Sequence, residues 1–332
     1  MKYVFLTSVA LASVPALAQL PPPSFAPELS LAPEVTVSGV SSGGYMAAQY
    51  HLAFAEQVSG AAIIAAGPIY CAQNSLQLAF AQCLGQPALP PAQALLDYIT
   101  LQQQQGELAP VSALANDKVW LFHGSKDQTV HPQLSVALAQ QYQQWLPAEQ
   151  IALVNDKPFA HHFPTNKSGL TDCHSSDSPF IASCDYDAAG QLLQHLYGAL
   201  NAAASQTSGT VHAIDQHQVK GAAKAQLAKT GYLYVPASCS SAQPCRLHIS
   251  FHGCRQNAEM VADAYITQTG LNEYADTNQL VVFYPQITAS KLLPMNPQAC
   301  WDWWGYSGDD YMLRSGAQLS AVQQLTQRLI SP

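Results

Sequence analysis

Charge is scarce in this sequence. Asp, Glu, Lys and Arg make up 10% of its 332 residues, against roughly 25% in an average soluble domain. With 48% hydrophobic residues the chain has ample material for a core, which excludes disorder as its dominant state. Basic residues are the scarcer kind: 13 Lys and Arg face 21 Asp and Glu, a formal net charge of −8. Such a balance repels phosphate backbones and anionic lipid surfaces, so neither nucleic acid nor a membrane surface is an expected partner. Long apolar runs are missing as well, because outside the extreme N-terminus nothing approaches the roughly 18 residues of a spanning helix. Also absent are Cys-x-x-Cys pairs and Cys/His clusters at ligand spacing, so no metal site is expected.

The N-terminal apolar stretch has the build of an export signal. Lys2 supplies the positive end, residues 3–17 the apolar centre, and Ala16-Leu17-Ala18 a small-x-small cleavage site before a proline run at 21–23. Residues 1–18 read as a signal peptide and residues 19–332 as one catalytic domain, without a separate substrate-binding module and without an obligatory protein partner. Export to the periplasm or the medium gives the eight cysteines a disulfide reading. Pairing sequence neighbours would join Cys71 to Cys83, Cys173 to Cys184, Cys239 to Cys245 and Cys254 to Cys300; other connectivities stay open from sequence alone.

Strand and helix signals alternate along the chain. Apolar or β-branched runs at 35–40, 59–66, 118–124, 151–155, 231–236, 246–253 and 280–285 read as strands. The continuous run Lys118-Val119-Trp120-Leu121-Phe122 has the form of a parallel strand covered on both faces. Helical segments are expected at 45–57, 91–105, 132–145, 186–200, 258–276 and 315–330, and residues 201–218 read as an unpatterned surface connection. This alternation specifies an α/β architecture with a mainly parallel sheet and helices on both faces.

Gly39-Val40-Ser41-Ser42-Gly43 matches Gly-x-Ser-x-Gly and sits where the motif works, between a strand and a helix. A serine hydroxyl needs a base, and the base needs an orienting carboxylate. Asp127 lies just past the apolar strand ending near Gly124, and His161 and His162 follow the next strand, which is the order Ser, acid, His of α/β-hydrolases. One oxyanion N–H would come from Ser42, after the nucleophile; the other belongs to a loop after an earlier strand, and no strand precedes Ser41 to supply it. Leu247-His248-Ile249-Ser250-Phe251-His252-Gly253-Cys254 has the look of that strand and loop, encoded late. A circular permutation, with the early strands following the late ones, reconciles the two.

Taken together, Gly39 to Met46, the Asp127 turn, His161-His162-Phe163-Pro164-Thr165, Cys184-Asp185-Tyr186-Asp187, Phe251 to Gln256 and Cys300-Trp301-Asp302-Trp303-Trp304-Gly305-Tyr306 resemble the secreted, single-domain poly(3-hydroxybutyrate) depolymerases of circularly permuted α/β-hydrolase type. The resemblance implies Ser41 as nucleophile, Asp127 as acid, His161 as base, and the N–H groups of Ser42 and Cys254 as oxyanion hole, with no cofactor. The family tends to have Gly before this histidine where Ala160 stands here, which keeps His162 open as the base. Trp301, Trp303, Trp304 and Tyr306 are expected either in the core or as an apolar wall for an uncharged polyester or its oligomers. A feruloyl or acetyl-xylan carboxylesterase and a non-catalytic polymer-binding protein are the alternatives. His51, His123 and His131 lack ligand spacing and read as structural.

Overall fold

Residues 25–85, 88–239 and 244–331 are described by the computed structural model of the chain; the leader read at 1–18 lies outside them. The first half carries β1 (Leu31–Val40), α1 (Ser42–Ala53), β2 (Val58–Ile64), α2 (Leu76–Gln82), α3 (Ala92–Gln104), α4 (Val111–Leu114), β3 (Lys118–Phe122), α5 (Gln133–Tyr142) and β4 (Ile151–Val154). A small sheet of β5 (Phe163–Thr165), β6 (Thr171–Asp172) and β7 (Ile181–Ser183) follows, then α6 (Ala188–Tyr197). The second half brings β8 (Thr210–Asp215), β9 (Thr230–Val235), β10 (Cys245–Phe251), three short helices α7 (Ala258–Val261), α8 (Ala264–Thr267) and α9 (Leu271–Thr277), β11 (Leu280–Tyr284) and α10 (Ala317–Ile330).

Eight strands form one sheet in the order β4-β3-β2-β1-β10-β11-β9-β8. Only β9 runs against its neighbours; the other pairings are parallel. Side chains alternate across it as the strand period of two requires: Val119 and Leu121 of β3 enter one core with α1, α5 and α10, while Trp120 and Phe122 enter the other with α6, α8 and α9. Covering both faces explains why the parallel strands read as unbroken apolar runs.

Counting strands from β8 instead of β1 makes β10 the third strand and β1 the fifth. An α/β-hydrolase takes its second oxyanion donor from the loop after the third strand, and that loop here begins at His252. The permutation is therefore visible as topology: β1, at the chain's start, lies between β2 and the late-encoded β10. The four disulfides join Cys71 to Cys83, Cys173 to Cys184, Cys239 to Cys245 and Cys254 to Cys300, the neighbour pairing.

Two expectations need correction. The segment 201–218 is not structureless, because residues 210–215 form the edge strand β8; its exposed, weakly alternating side chains hide it from a burial pattern. The helix expected over 258–276 is three pieces, broken where Ala262 turns to φ 52° and Gly270 to φ 91°.

Candidate active site

Strand β1 delivers Ser41 into a turn so tight that its own φ is 58°, in the left-handed region that side chains rarely occupy. The glycines on either side make the turn possible. A Cβ on Gly39 would lie 2.0 Å from the Gly43 carbonyl oxygen, and one on Gly43 would lie 2.1 Å from that of Phe251. The start of α1 is thus pressed against the end of β10, and the Ser41 side chain makes no capping hydrogen bond to the helix it precedes.

The loop after β10 approaches from the other side. A Cβ on Gly253 would be 3.3 Å from the Ser41 Cβ, so this loop lies directly against the serine. Its peptide is clamped at both ends: the Gly253 N–H donates to Gln256 Oε1 at 2.8 Å, and His252 Nδ1 donates to the Gly253 carbonyl at 2.7 Å. In a trans peptide the N–H points opposite the C=O, so fixing the Gly253 oxygen fixes the Cys254 N–H. Burial pushes the His252 imidazole down to about 4 against a small opposing effect of the Gly253 bond. It stays neutral, leaving Nε2 to accept from the Ile287 N–H at 3.3 Å.

Asp127 stands past the end of β3. Its Oδ1 accepts from the N–H groups of Thr129 at 2.8 Å and Val130 at 2.9 Å, and its Oδ2 lies 2.7 Å from His161 Nδ1. Burial alone would raise this carboxyl, but His161 and His123 beside it hold it well below the usual carboxylate range. His162 faces elsewhere: its Nε2 donates to the Cys173 carbonyl at 2.7 Å, and burial pushes its pKa down. The geometry thus brings Asp127 together with His161 and not with His162. His162 also lies close to Cys173 and Cys184, but both sulfurs are engaged in their disulfide.

Ser41, Ser42, His161, Gly253 and Cys254 line one cavity of 430 Å³. The walls are largely apolar, and among the described residues Arg255 is the single Lys, Arg, Asp or Glu lining it, its guanidinium 4.6 Å from the Phe180 ring centroid.

The expected aromatic wall divides. Trp303 and Trp304 line the cavity, with Trp303 stacked on Tyr45 at 5.0 Å. Trp301 instead is wholly buried, edge-on to Phe251, and Tyr306 is not among the lining residues, its hydroxyl donating to the Cys300 carbonyl at 2.7 Å. Asp302 folds this loop over itself, its carboxylate accepting from the N–H groups of Trp304, Gly305, Tyr306 and Ser307. Sequence reading missed Leu76, Phe80 and Met295 on the cavity rim, 53%, 62% and 59% exposed. The i, i+4 spacing of Leu76 and Phe80 is the signal that would have found them, since it sets both on one face of α2.

No family model matches the chain. It is 38% identical over 299 residues to a poly(3-hydroxybutyrate) depolymerase of Delftia acidovorans, covering 89% of this chain and 59% of that protein. It is also 35% identical over 313 residues to a polyhydroxybutyrate depolymerase of Talaromyces funiculosus, covering 90% of this chain and 89% of that one. The chain belongs to the poly(3-hydroxybutyrate) depolymerase family. Among solved structures of that family, the depolymerase from Penicillium funiculosum superposes with a TM-score of 0.86 at 33% identity, over 92% of this chain and 98% of the other. A depolymerase carrying a serine-to-alanine substitution, complexed with an R3HB trimer, gives the same values. The depolymerase fold is thus shared nearly end to end with the solved relatives, while the chain spans under two thirds of the Delftia protein's length. Among the described residues no helix is long and apolar enough to cross a membrane.

Proposed function

We propose that this chain is an exported serine esterase that hydrolyses poly(3-hydroxybutyrate) or its oligomers. The observation that carries the reading is the Asp127 to His161 bond of 2.7 Å at the cavity into which the Ser41 elbow opens. His161 takes the Ser41 Oγ proton as the oxygen attacks the ester carbonyl. Charge developing on the carbonyl oxygen meets the N–H groups of Ser42 and Cys254, neither of which has an acceptor among the described residues. His161 then protonates the departing hydroxyl of the adjacent unit, and an acyl-enzyme remains. Water, deprotonated by the same imidazole, releases a carboxylic acid and restores Ser41.

A neutral polyester offers methyl and methylene groups but no charge. A cavity walled by Tyr45, Trp303 and Trp304 and rimmed by exposed Leu76, Phe80 and Met295 suits it, since burying apolar surface is worth about 25 cal/mol per Å². Residues 1–18 are read as the export signal and residues 19–332 as the catalytic unit. Four disulfides fit an oxidising compartment.

The test is Ser41→Ala. We expect it to abolish clearing of a polymer suspension and covalent labelling by a fluorophosphonate probe, with the fold intact by circular dichroism. Clearing at the parental rate would refute the mechanism. Higher turnover of feruloyl esters than of 3-hydroxybutyrate oligomers would move the substrate to plant-wall esters on the same machinery.

A further inference from the structure

The triad leaves one buried histidine beside it without a role. His123 directly follows β3 and has no exposed surface. Its Nε2 lies 3.1 Å from Asp127 Oδ2, the same oxygen that faces His161. The two imidazoles therefore flank one carboxylate.

Counting protons on the His123 ring fixes its state. Nε2 lies 2.8 Å from the Val130 carbonyl, which can only accept, so Nε2 carries a proton. Nδ1 lies 2.5 Å from Ser135 Oγ. That hydroxyl has a single proton and donates it to the Ala66 carbonyl at 2.8 Å. Only a proton on Nδ1 can then fill the Nδ1 to Oγ contact. A neutral ring would leave either this contact or the Ser135 to Ala66 contact with two lone pairs and no hydrogen, between side chains that are buried.

We propose that His123 is an imidazolium that shares Asp127 with His161, making the acid-base unit a His-Asp-His cluster and His123 its positioning residue. The inference rests on the assignment of Ser41, His161 and Asp127 above. It has two consequences. The carboxylate is anchored by three donors, the N–H groups of Thr129 and Val130 and the His161 ring, while the His123 ring, its Nε2 proton given to the Val130 carbonyl, sets its charge 3.1 Å from Oδ2. And the cation offsets part of the negative charge that Asp127 presents to His161, so removing it leaves the His161 ring facing the full charge of the carboxylate. The other titratable groups facing the pair are Tyr45 and His162. Burial raises the phenol of the first and lowers the imidazole of the second, so both are neutral at pH 7.

The decisive experiment is the pH profile of kcat/KM for a soluble 3-hydroxybutyrate oligomer in the wild type and in His123→Gln, whose amide keeps one donor and loses the charge. The acidic limb should move up by about one pH unit, with KM on the plateau unchanged. A limb that stays in place or moves down would overturn the proposal. A second measurement does not depend on the variant folding. In the ¹⁵N spectrum of histidine-labelled wild type at pH 7, His123 should show two protonated ring nitrogens, and one unprotonated nitrogen would overturn the proposal. Ser41→Ala and His161→Gln run alongside: activity surviving in both would refute the underlying site, whereas their inactivity with an unmoved limb in His123→Gln refutes the cluster alone.

Discussion

Replacing Asp302 by alanine should unfasten the aromatic loop that walls the cavity. The carboxylate is buried, 1% exposed, and gathers five donors. Oδ1 accepts from the N–H groups of Trp304 at 3.1 Å, Gly305 at 2.7 Å and Tyr306 at 3.2 Å, and Oδ2 from the Ser307 N–H at 2.7 Å and hydroxyl at 2.6 Å. Its backbone ties the loop to α1 and α10 through Gln49 at 2.9 Å and Gln318 at 2.8 Å, so the loop cannot move away as a whole. Alanine leaves those donors facing a void. The affected residues are only partly buried and some donors will find water, so two or three unsatisfied groups at about 1–3 kcal/mol each put the loss at about 3–5 kcal/mol. Asp302→Asn retains an acceptor for the three Oδ1 donors but turns an amide NH₂ toward Ser307, and about 2 kcal/mol is expected. Urea unfolding at pH 7 measures both, and the oligomer KM should rise several-fold in the alanine variant as Trp303 and Trp304 lose their support. A loss below about 1 kcal/mol with an unchanged m-value would show that the carboxylate does not organise the loop.

Three further outcomes are expected. Asp127→Asn should lower kcat by about 10⁴-fold, because the amide NH₂ facing His161 Nδ1 favours the tautomer with its proton on Nε2, where the serine proton must arrive; a loss under tenfold would detach Asp127 from the chemistry. Gly43→Ala must separate α1 from β10, since its Cβ would meet the Phe251 and His252 carbonyl oxygens at 2.1 and 2.4 Å. Displacing one oxyanion donor costs about 10²–10³-fold in kcat, and parental turnover in a folded Gly43→Ala protein would count against the elbow geometry. The third concerns acid. Burial depresses His248 from 6.5 to about 3 and His252 from 6.5 to about 4, so each binds its proton more tightly when unfolded. Their contribution is complete above pH 6.5 and is lost as pH falls toward those values. Near pH 5 this amounts to about 4 kcal/mol for the pair at most. Urea midpoints that stay level between pH 7 and 5 would show that one or both rings are charged in the folded state.

Much of the site was legible before any coordinates. Gly39 to Gly43 announces the elbow because a strand-to-helix turn needs glycine where backbone meets backbone, and that need is local. The Asp127 turn and the doubled histidine at 161 and 162 follow from chain order as candidates. The choice between His161 and His162 was not legible, since neighbouring residues share a local pattern and differ only in where the chain aims them. The role of Asp302 was equally hidden, lying between tryptophans that look alike in sequence yet end up in a core and on a cavity wall.

By itself, then, the sequence determined the class of fold and the glycine-lined turn at Ser41, because periodicity and glycine placement act over a few residues, and it left the connectivity of the cysteines open. What only the tertiary structure decided are meetings across the sheet: β1 beside β10, which sets Cys254 against Ser41, Asp127 between two histidines, and Trp301 inside while Trp303 and Trp304 face the cavity. Each joins residues distant in the chain or separates neighbours within it, and burial and hydrogen bonding across the folded molecule, unlike local propensity, carry no mark in a short stretch of sequence.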